Sequence, residues 1–129
     1  MQAMIHYSTG QILHTCFAKG RVHDFKLFKK SMKSLHFRPF ILADKGYLGL
    51  AKTGLRGLIP FKANKQRPLD PYLKYLNKQI NRRRITVEHT FGALKRFKIL
   101  NSLYRNRRTR IALRFKLIAA IFNLELLKK

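Results

Sequence analysis

The spacing of apolar residues changes along this chain from alternate positions to helical turns, and the order of these changes limits the folds that it can adopt. Residues 3–18 alternate loosely around Ser8-Thr9-Gly10, which predicts a β-hairpin with its turn at those three residues. Apolar residues then recur at helical spacing between Asp24 and Leu35. Asp24 is therefore predicted to cap a helix that ends before Pro39.

The rest of the chain predicts short strands and two further helices. Residues 40–43 form an apolar run that predicts a buried strand ending at Asp44, and residues 58–61 predict another strand. Asp70 lies between two prolines and is predicted to begin a helix that runs to about Leu100, with a break near Asn81. The predicted final helix carries its apolar residues on one face: Ile111, Phe115, Ile118, Phe122 and Leu126.

This order of elements predicts a mixed α/β fold, and a length of 129 residues predicts one domain, 1–129. The number of predicted strands is low, so the sheet is expected to be incomplete at its beginning. Apolar residues make up 46% of the chain, which is enough for a core and excludes a disordered basic tail.

The charge balance predicts a polyanionic partner. The chain holds 29 Lys and Arg residues against five Asp and Glu, a formal net charge of +24, and such a charge attracts nucleic acid. A membrane is the weaker alternative, because the longest apolar run, Leu117 to Phe122, is far shorter than a bilayer span. Cys16 is the single cysteine, so no internal disulfide can form, and no signal segment opens the chain. We therefore expect a cytoplasmic protein that binds DNA or RNA.

Two of the five acidic residues lie where a carboxylate could do chemistry. Asp44 follows an apolar strand, and strand carboxyl ends are where α/β sheets present ligand groups; the alternative is a turn-initiating Asp before Lys-Gly. Glu88 shares a helix face with Arg84 and Lys95, which suggests a metal ligand between phosphate-binding cations. The alternative is a surface ion pair between Arg84 and Glu88.

Basic clusters predict the surface that contacts phosphates, since such contacts give affinity without reading sequence. The candidate DNA-binding residues are Arg82, Arg83, Arg84, Lys95, Arg96, Lys98, Arg105, Arg107 and Arg108. Tyr72, Tyr75 and Tyr104 lie among these cations and could stack on bases, although a place in the core or at its rim is the more common one for tyrosine.

The block Phe40-Ile-Leu-Ala-Asp44-Lys-Gly-Tyr and the spacing of Arg84, Glu88 and Lys95 resemble the DDE transposases of bacterial insertion sequences. Residues 20–28 and 123–126 resemble the same proteins, so the likeness covers nearly the whole chain. One position departs from the pattern: many of these enzymes carry Tyr three residues before the Arg, where this chain has Asn81.

The resemblance implies an RNase H-like mixed sheet with flanking helices that holds two Mg²⁺ or Mn²⁺ ions between three carboxylates. It makes Asp44 the second carboxylate and Glu88 the third, both catalytic and both metal ligands. It also implies that Arg84 and Lys95 contact the transposon end. In the family the first carboxylate lies on a strand before the hairpin, so we expect this chain to lack the first core strand and to be a C-terminal fragment.

The function expected from this resemblance is DNA transposition, by metal-dependent cleavage and strand transfer in the complete enzyme. The isolated chain is expected to bind DNA and to be inactive alone. An N-terminal transposase fragment is the expected protein partner, and the sequence leaves open whether the chain forms oligomers. The alternatives are a catalytically dead remnant and a small basic nucleic-acid-binding module.

Overall fold

A computed structural model gives the structure of residues 2–18, 22–97 and 110–128, which form a mixed α/β chain. The residues divide into two compact units: the first comprises Met1–Arg21 with Thr86–Lys129, and the second comprises Val22–Ile85. The elements in chain order are β1 Gln2–Ile5, β2 Ile12–Cys16, α1 Asp24–Met32, β3 Ile41–Leu42, β4 Gly57–Leu58, α2 Pro71–Leu94 and α3 Ile111–Leu127. Two short 3-10 turns, Lys45–Tyr47 and Leu50–Thr53, lie between β3 and β4.

The first unit is built on the predicted hairpin. Strands β1 and β2 pair antiparallel, and the chain reverses through Gly10, whose φ of 75° is one that glycine adopts without strain. Thr90 of α2 is buried and donates its hydroxyl to the Gly10 carbonyl at 3.2 Å. The core of this unit joins β2, α2 and α3 through Ile12, Leu94, Phe115, Ile118 and Ala119.

Asn123 ties α3 to the hairpin with two hydrogen bonds to one residue. The Ile12 amide donates to Asn123 Oδ1 at 2.8 Å, and Asn123 Nδ2 donates to the Ile12 carbonyl at 2.8 Å. The side-chain amide thus satisfies both backbone groups of Ile12, as a neighbouring strand would. The opposite face of α3 is exposed and apolar; its members include Leu113, Leu117, Leu124 and Leu127.

The second unit is built around a parallel strand pair. Strands β3 and β4 place Ile41 opposite Gly57 and Leu42 opposite Leu58. Leu50, which is 2% exposed, is buried beside this pair. The rings of Phe28 and Tyr47 meet edge to face with centroids 5.4 Å apart, and this contact packs α1 against the turn that follows β3.

The mixed α/β fold and the start of α2 after Asp70 are confirmed, since Asp70 Oδ1 accepts a hydrogen bond from the Leu73 amide at 2.8 Å. The described strands form two separate two-stranded sheets, and the single RNase H-like mixed sheet stays a prediction. The predicted break near Asn81 is wrong, because α2 is continuous from Pro71 to Leu94.

Helix α1 differs from its prediction at both ends. His23, and not Asp24, caps its N-terminus, because His23 Nδ1 accepts a hydrogen bond from the Phe25 amide at 3.2 Å. The helix ends at Met32 instead of continuing to Leu35. Near this end the Ser31 hydroxyl donates to the Phe28 carbonyl and the Ser34 hydroxyl donates to the Ser31 carbonyl. Such side-chain hydrogen bonds compete with the backbone hydrogen bonds that would continue the helix.

Candidate functional site

Asp44 stands at the carboxyl end of β3 and caps the turn that follows it. Its Oδ1 accepts a hydrogen bond from the Gly46 amide at 2.8 Å, so the turn-initiating alternative is confirmed. That bond uses only one carboxylate oxygen. The other oxygen, Oδ2, lies 4.0 Å from a terminal nitrogen of Arg84.

The Arg84–Asp44 pair joins two parts of the sequence that are 40 positions apart. The Asp44 side chain is 52% exposed and the Arg84 side chain is 21% exposed, so the carboxylate is open to solvent and the guanidinium is partly buried. A long, partly exposed ion pair contributes little stability, typically about 0–1 kcal/mol. The pair therefore matters less for stability than for the position that it gives to both charged groups.

Both residues line an open pocket of about 420 Å³ in the second unit. Its lining combines carboxylate, guanidinium, amide and aromatic groups: His23, Asp24, Asp44, Lys45, Gly46, Tyr47, Pro60, Asn81 and Arg84. Asn81 lies one helical turn before Arg84, and it is the position at which the chain departs from the transposase pattern. The pocket offers oxygen ligands to a cation and a guanidinium to a phosphate.

Asp24 reaches this pocket because His23 does the capping of α1. The Asp24 carboxylate is exposed in the first helical turn and lines the same pocket as Asp44. Asp24 was predicted to be the cap, whereas its carboxylate lines the pocket that Asp44 also lines. An acidic residue in the first turn of a helix also interacts favourably with the positive end of the helix dipole, so the position of Asp24 in the sequence has a structural explanation as well.

Glu88 belongs to the first unit, on the C-terminal half of α2, and its side chain is exposed. The apolar face predicted beside it is present, because Val87 and Phe91 are half-buried and Leu94 is fully buried. Lys95 lies just past the end of α2, where its amide donates to the Phe91 carbonyl at 3.0 Å.

The candidate DNA-binding cations that can be placed are mostly exposed. Arg82 and Arg83 are exposed on α2 in the second unit, and Lys95 and Arg96 are exposed in the first. The remaining candidates lie outside the described residues: Lys98, Arg105, Arg107 and Arg108, together with Tyr104.

The donor chemistry around Asp44 suits part of a magnesium site. Within residues 2–18, 22–97 and 110–128, no three His, Cys, Asp or Glu side chains are grouped to hold a metal ion. Mg²⁺ needs fewer protein ligands than that, because it keeps waters and is usually bound by one or two carboxylates plus substrate phosphate. The exposed Asp44 carboxylate, whose Oδ2 is not used by the turn, meets that requirement in part.

In the described part of the chain, no helix has the length and apolar character to cross a bilayer.

Comparison with known proteins gives two matches. A family model described as DDE superfamily endonuclease matches residues 1–123. The chain is 44% identical over 128 residues to a probable transposase for insertion sequence element IS702 from Microchaete diplosiphon, a match that covers 99% of this chain and 46% of that protein. The chain therefore spans about half the length of this relative. No solved structure gives a significant match.

Proposed function

The chain belongs to the DDE superfamily endonucleases, and we propose that it is part of a DNA transposase that cuts and rejoins phosphodiester bonds at the ends of an insertion sequence. The observation that carries the proposal is the Asp44 carboxylate at the end of β3, with Oδ2 facing Arg84 across an open pocket. A carboxylate beside a guanidinium is an arrangement that can receive a cation and a phosphate together.

The proposed fold of the complete catalytic domain is RNase H-like. Family membership supports it, as do the antiparallel hairpin β1–β2 and the parallel pair β3–β4 with Asp44 at a strand carboxyl end.

Asp44 and Glu88 are the proposed catalytic carboxylates and metal ligands of this chain. The two carboxylates would hold divalent ions, Mg²⁺ or Mn²⁺, which when bound would supply activation of a water or a DNA 3′-hydroxyl and stabilisation of the leaving oxygen. The hydrogen bond from the Gly46 amide fixes the rotation of the Asp44 carboxylate and leaves Oδ2 for ligation.

Arg84 is proposed to exchange partners when DNA binds. Without DNA its guanidinium lies 4.0 Å from Asp44 Oδ2 and neutralises part of that charge. A backbone phosphate offers the guanidinium shorter, bidentate hydrogen bonds. Moving Arg84 to the phosphate would free the carboxylate for the cation.

The remaining cations are proposed to bind the DNA backbone. Lys95, Arg96, Arg82 and Arg83 are exposed, and a net charge of +24 favours a polyanion throughout. Lys98, Arg105, Arg107 and Arg108 are proposed for the same role. Each phosphate contact releases counterions, so the affinity is expected to fall steeply as salt rises.

The complete activity is proposed to need the part of the transposase that this chain does not contain. The chain corresponds to 46% of its insertion-sequence relative, which leaves room there for the first carboxylate that the family resemblance implies. A separate N-terminal fragment would serve as the partner that supplies it.

A nicking assay tests this function. The chain, alone and mixed with the complementary N-terminal part, is incubated with insertion-sequence end DNA and Mg²⁺ or Mn²⁺. Asp44→Asn keeps an oxygen to cap the turn while removing the charge, and Glu88→Gln is its counterpart on α2. Glu125→Gln, at an exposed position of α3, is the matched control.

We expect the first two variants to lose cleavage by the mixture while DNA affinity stays within about twofold, and the control to cleave normally. Cleavage by the Asp44 and Glu88 variants at the parent rate would refute the catalytic assignment. A non-enzymatic basic DNA-binding module is the second candidate, favoured by the charge of +24. Binding that ignores metal and both substitutions, with no cleavage by any mixture, would establish that alternative.

A further inference from the structure

The first turns of α2 present two tyrosines to solvent. Tyr72 is 67% exposed and Tyr75 is 57% exposed, so neither lies in the core, which is one of the more common places for tyrosine. The buried side of the same helix is formed by other residues, with Ile80 6% exposed. Two tyrosines are therefore held on this helix with most of their surface open to solvent.

Cations continue the strip that these rings begin. At 3.6 residues per turn, Tyr75, Lys78 and Arg82 follow one another at intervals of three and four residues and lie along one line of the helix. Lys78 and Arg82 are exposed as well. We call the four residues Tyr72, Tyr75, Lys78 and Arg82 the tyrosine strip; it spans about 15 Å at a rise of 1.5 Å per residue.

The composition of the strip favours nucleic acid over a protein partner. Between residues 72 and 82 the exposed side chains are the two tyrosines, Lys74, Lys78, Arg82 and Asn81, with no exposed aliphatic residue among them. No acidic residue lies in that segment. Lysine is depleted in protein interfaces, whereas exposed rings followed by cations suit the bases and phosphates of a nucleic acid.

We propose that the tyrosine strip binds a single-stranded segment of the DNA substrate, with Tyr72 and Tyr75 stacked on unpaired bases and Lys78 and Arg82 against phosphates. The faces of bases are open to stacking only where the bases are unpaired, so the strip distinguishes a single strand from a duplex. This inference rests on the proposed function insofar as that function makes DNA the partner.

Fluorescence anisotropy tests the proposal with the full chain and two labelled probes, a single strand and the corresponding duplex. The variants are Tyr72→Ala, Tyr75→Ala, their combination, and Phe at both positions. Tyr7→Ala is the matched control, because Tyr7 is also 57% exposed but lies in the hairpin of the first unit.

Each Ala substitution is expected to weaken binding of the single strand about fivefold or more, as loss of one stacked base predicts. Duplex affinity should change less than about twofold, and the dependence of affinity on salt should keep its slope because tyrosine carries no charge. The Phe variants, which keep the ring, should bind the single strand like the parent, and Tyr7→Ala should do the same.

Three results would overturn the inference. The double Ala variant could bind the single strand unchanged, or it could lose single strand and duplex equally. It could also abolish self-association in sedimentation while single-strand binding stays intact, which would make the strip a contact between copies of the chain. Failure of the proposed function is distinct: the mixture that contains Asp44→Asn would then cleave at the parent rate, whatever the tyrosine variants do to single-strand binding.

Discussion

Replacing Gly57 with Ala should disrupt the strand pair that positions Asp44. Gly57 lies opposite Ile41 in the parallel β3–β4 ladder. A Cβ at Gly57 would overlap the Ile41 carbonyl oxygen and would lie 2.6 Å from Leu50 Cδ2. Neither neighbour yields easily, because the first is backbone and Leu50 is buried at 2% exposure. The two strands must therefore separate to admit one methyl group.

The cost follows from what that separation breaks. The Ile41 amide donates to the Arg56 carbonyl at 2.9 Å, and the Ala43 amide donates to the Leu58 carbonyl at 3.1 Å. Two backbone hydrogen bonds at about 1 kcal/mol each, with overpacking at about 1–3 kcal/mol, give an expected loss of about 3 kcal/mol. Urea unfolding followed by circular dichroism measures this loss, and hydrogen exchange at the Ile41 and Ala43 amides locates it.

Gly92→Ala is the matched control for the same chemical change. Gly92 lies inside α2, where an added Cβ meets no atom within 4 Å. Ala is the better helix former by about 0.5–1 kcal/mol, so this variant should be more stable than the parent. An unchanged urea midpoint for Gly57→Ala would show that the strands admit the methyl group without separating. Destabilisation with unchanged protection of the Ile41 and Ala43 amides from hydrogen exchange would show that the damage lies elsewhere.

Three further substitutions test other contacts. Asn123→Ala removes both hydrogen bonds to Ile12 and leaves two half-buried backbone groups unsatisfied. Urea unfolding should therefore show a free energy of unfolding lower by about 2–4 kcal/mol. A decrease below about 0.5 kcal/mol would show that these hydrogen bonds do not stabilise the protein. Asp44→Ala removes the cap of the 3-10 turn and should lower the free energy of unfolding by about 1 kcal/mol, whereas Asp44→Asn keeps the capping oxygen and should lower it little. Equal decreases for the two variants would mean that the charge of Asp44, and not its capping bond, stabilises the turn. The double substitution Leu117→Lys and Leu124→Lys replaces exposed leucines on α3, so light scattering should show less aggregation while the midpoint of urea unfolding stays unchanged. A lower midpoint would mean that these leucines are packed against the rest of the protein.

The elements that could be predicted from sequence are those whose signals are local. The start of α2 followed from Asp70 among prolines, and its carboxylate accepts the Leu73 amide as an N-cap does. The apolar face of α3 followed from helical spacing, and Phe115 and Ile118 are buried there. Predictions failed where two local options compete. His23 and Asp24 can both cap a helix start, and sequence alone does not rank them.

The candidate site was harder to predict because its contacts join distant positions. Helical spacing gives the neighbours of Arg84 along α2, but not Asp44, which lies 40 residues earlier and 4.0 Å away. Asp24 was missed for the same reason, since its place in the pocket depends on the packing of α1. Tyr72 and Tyr75 show a further limit: periodicity locates a residue on a helix, but only packing decides which face is buried.

The two interpretations of Asp44 that the sequence left open are compatible, because its two oxygens have different environments. Oδ1 accepts the Gly46 amide and holds the turn, while Oδ2 faces Arg84 and the pocket. A carboxylate anchored by one oxygen has a fixed rotation, so its second oxygen is presented in one direction at little further entropic cost. The turn would therefore orient the oxygen that is proposed to bind the metal ion.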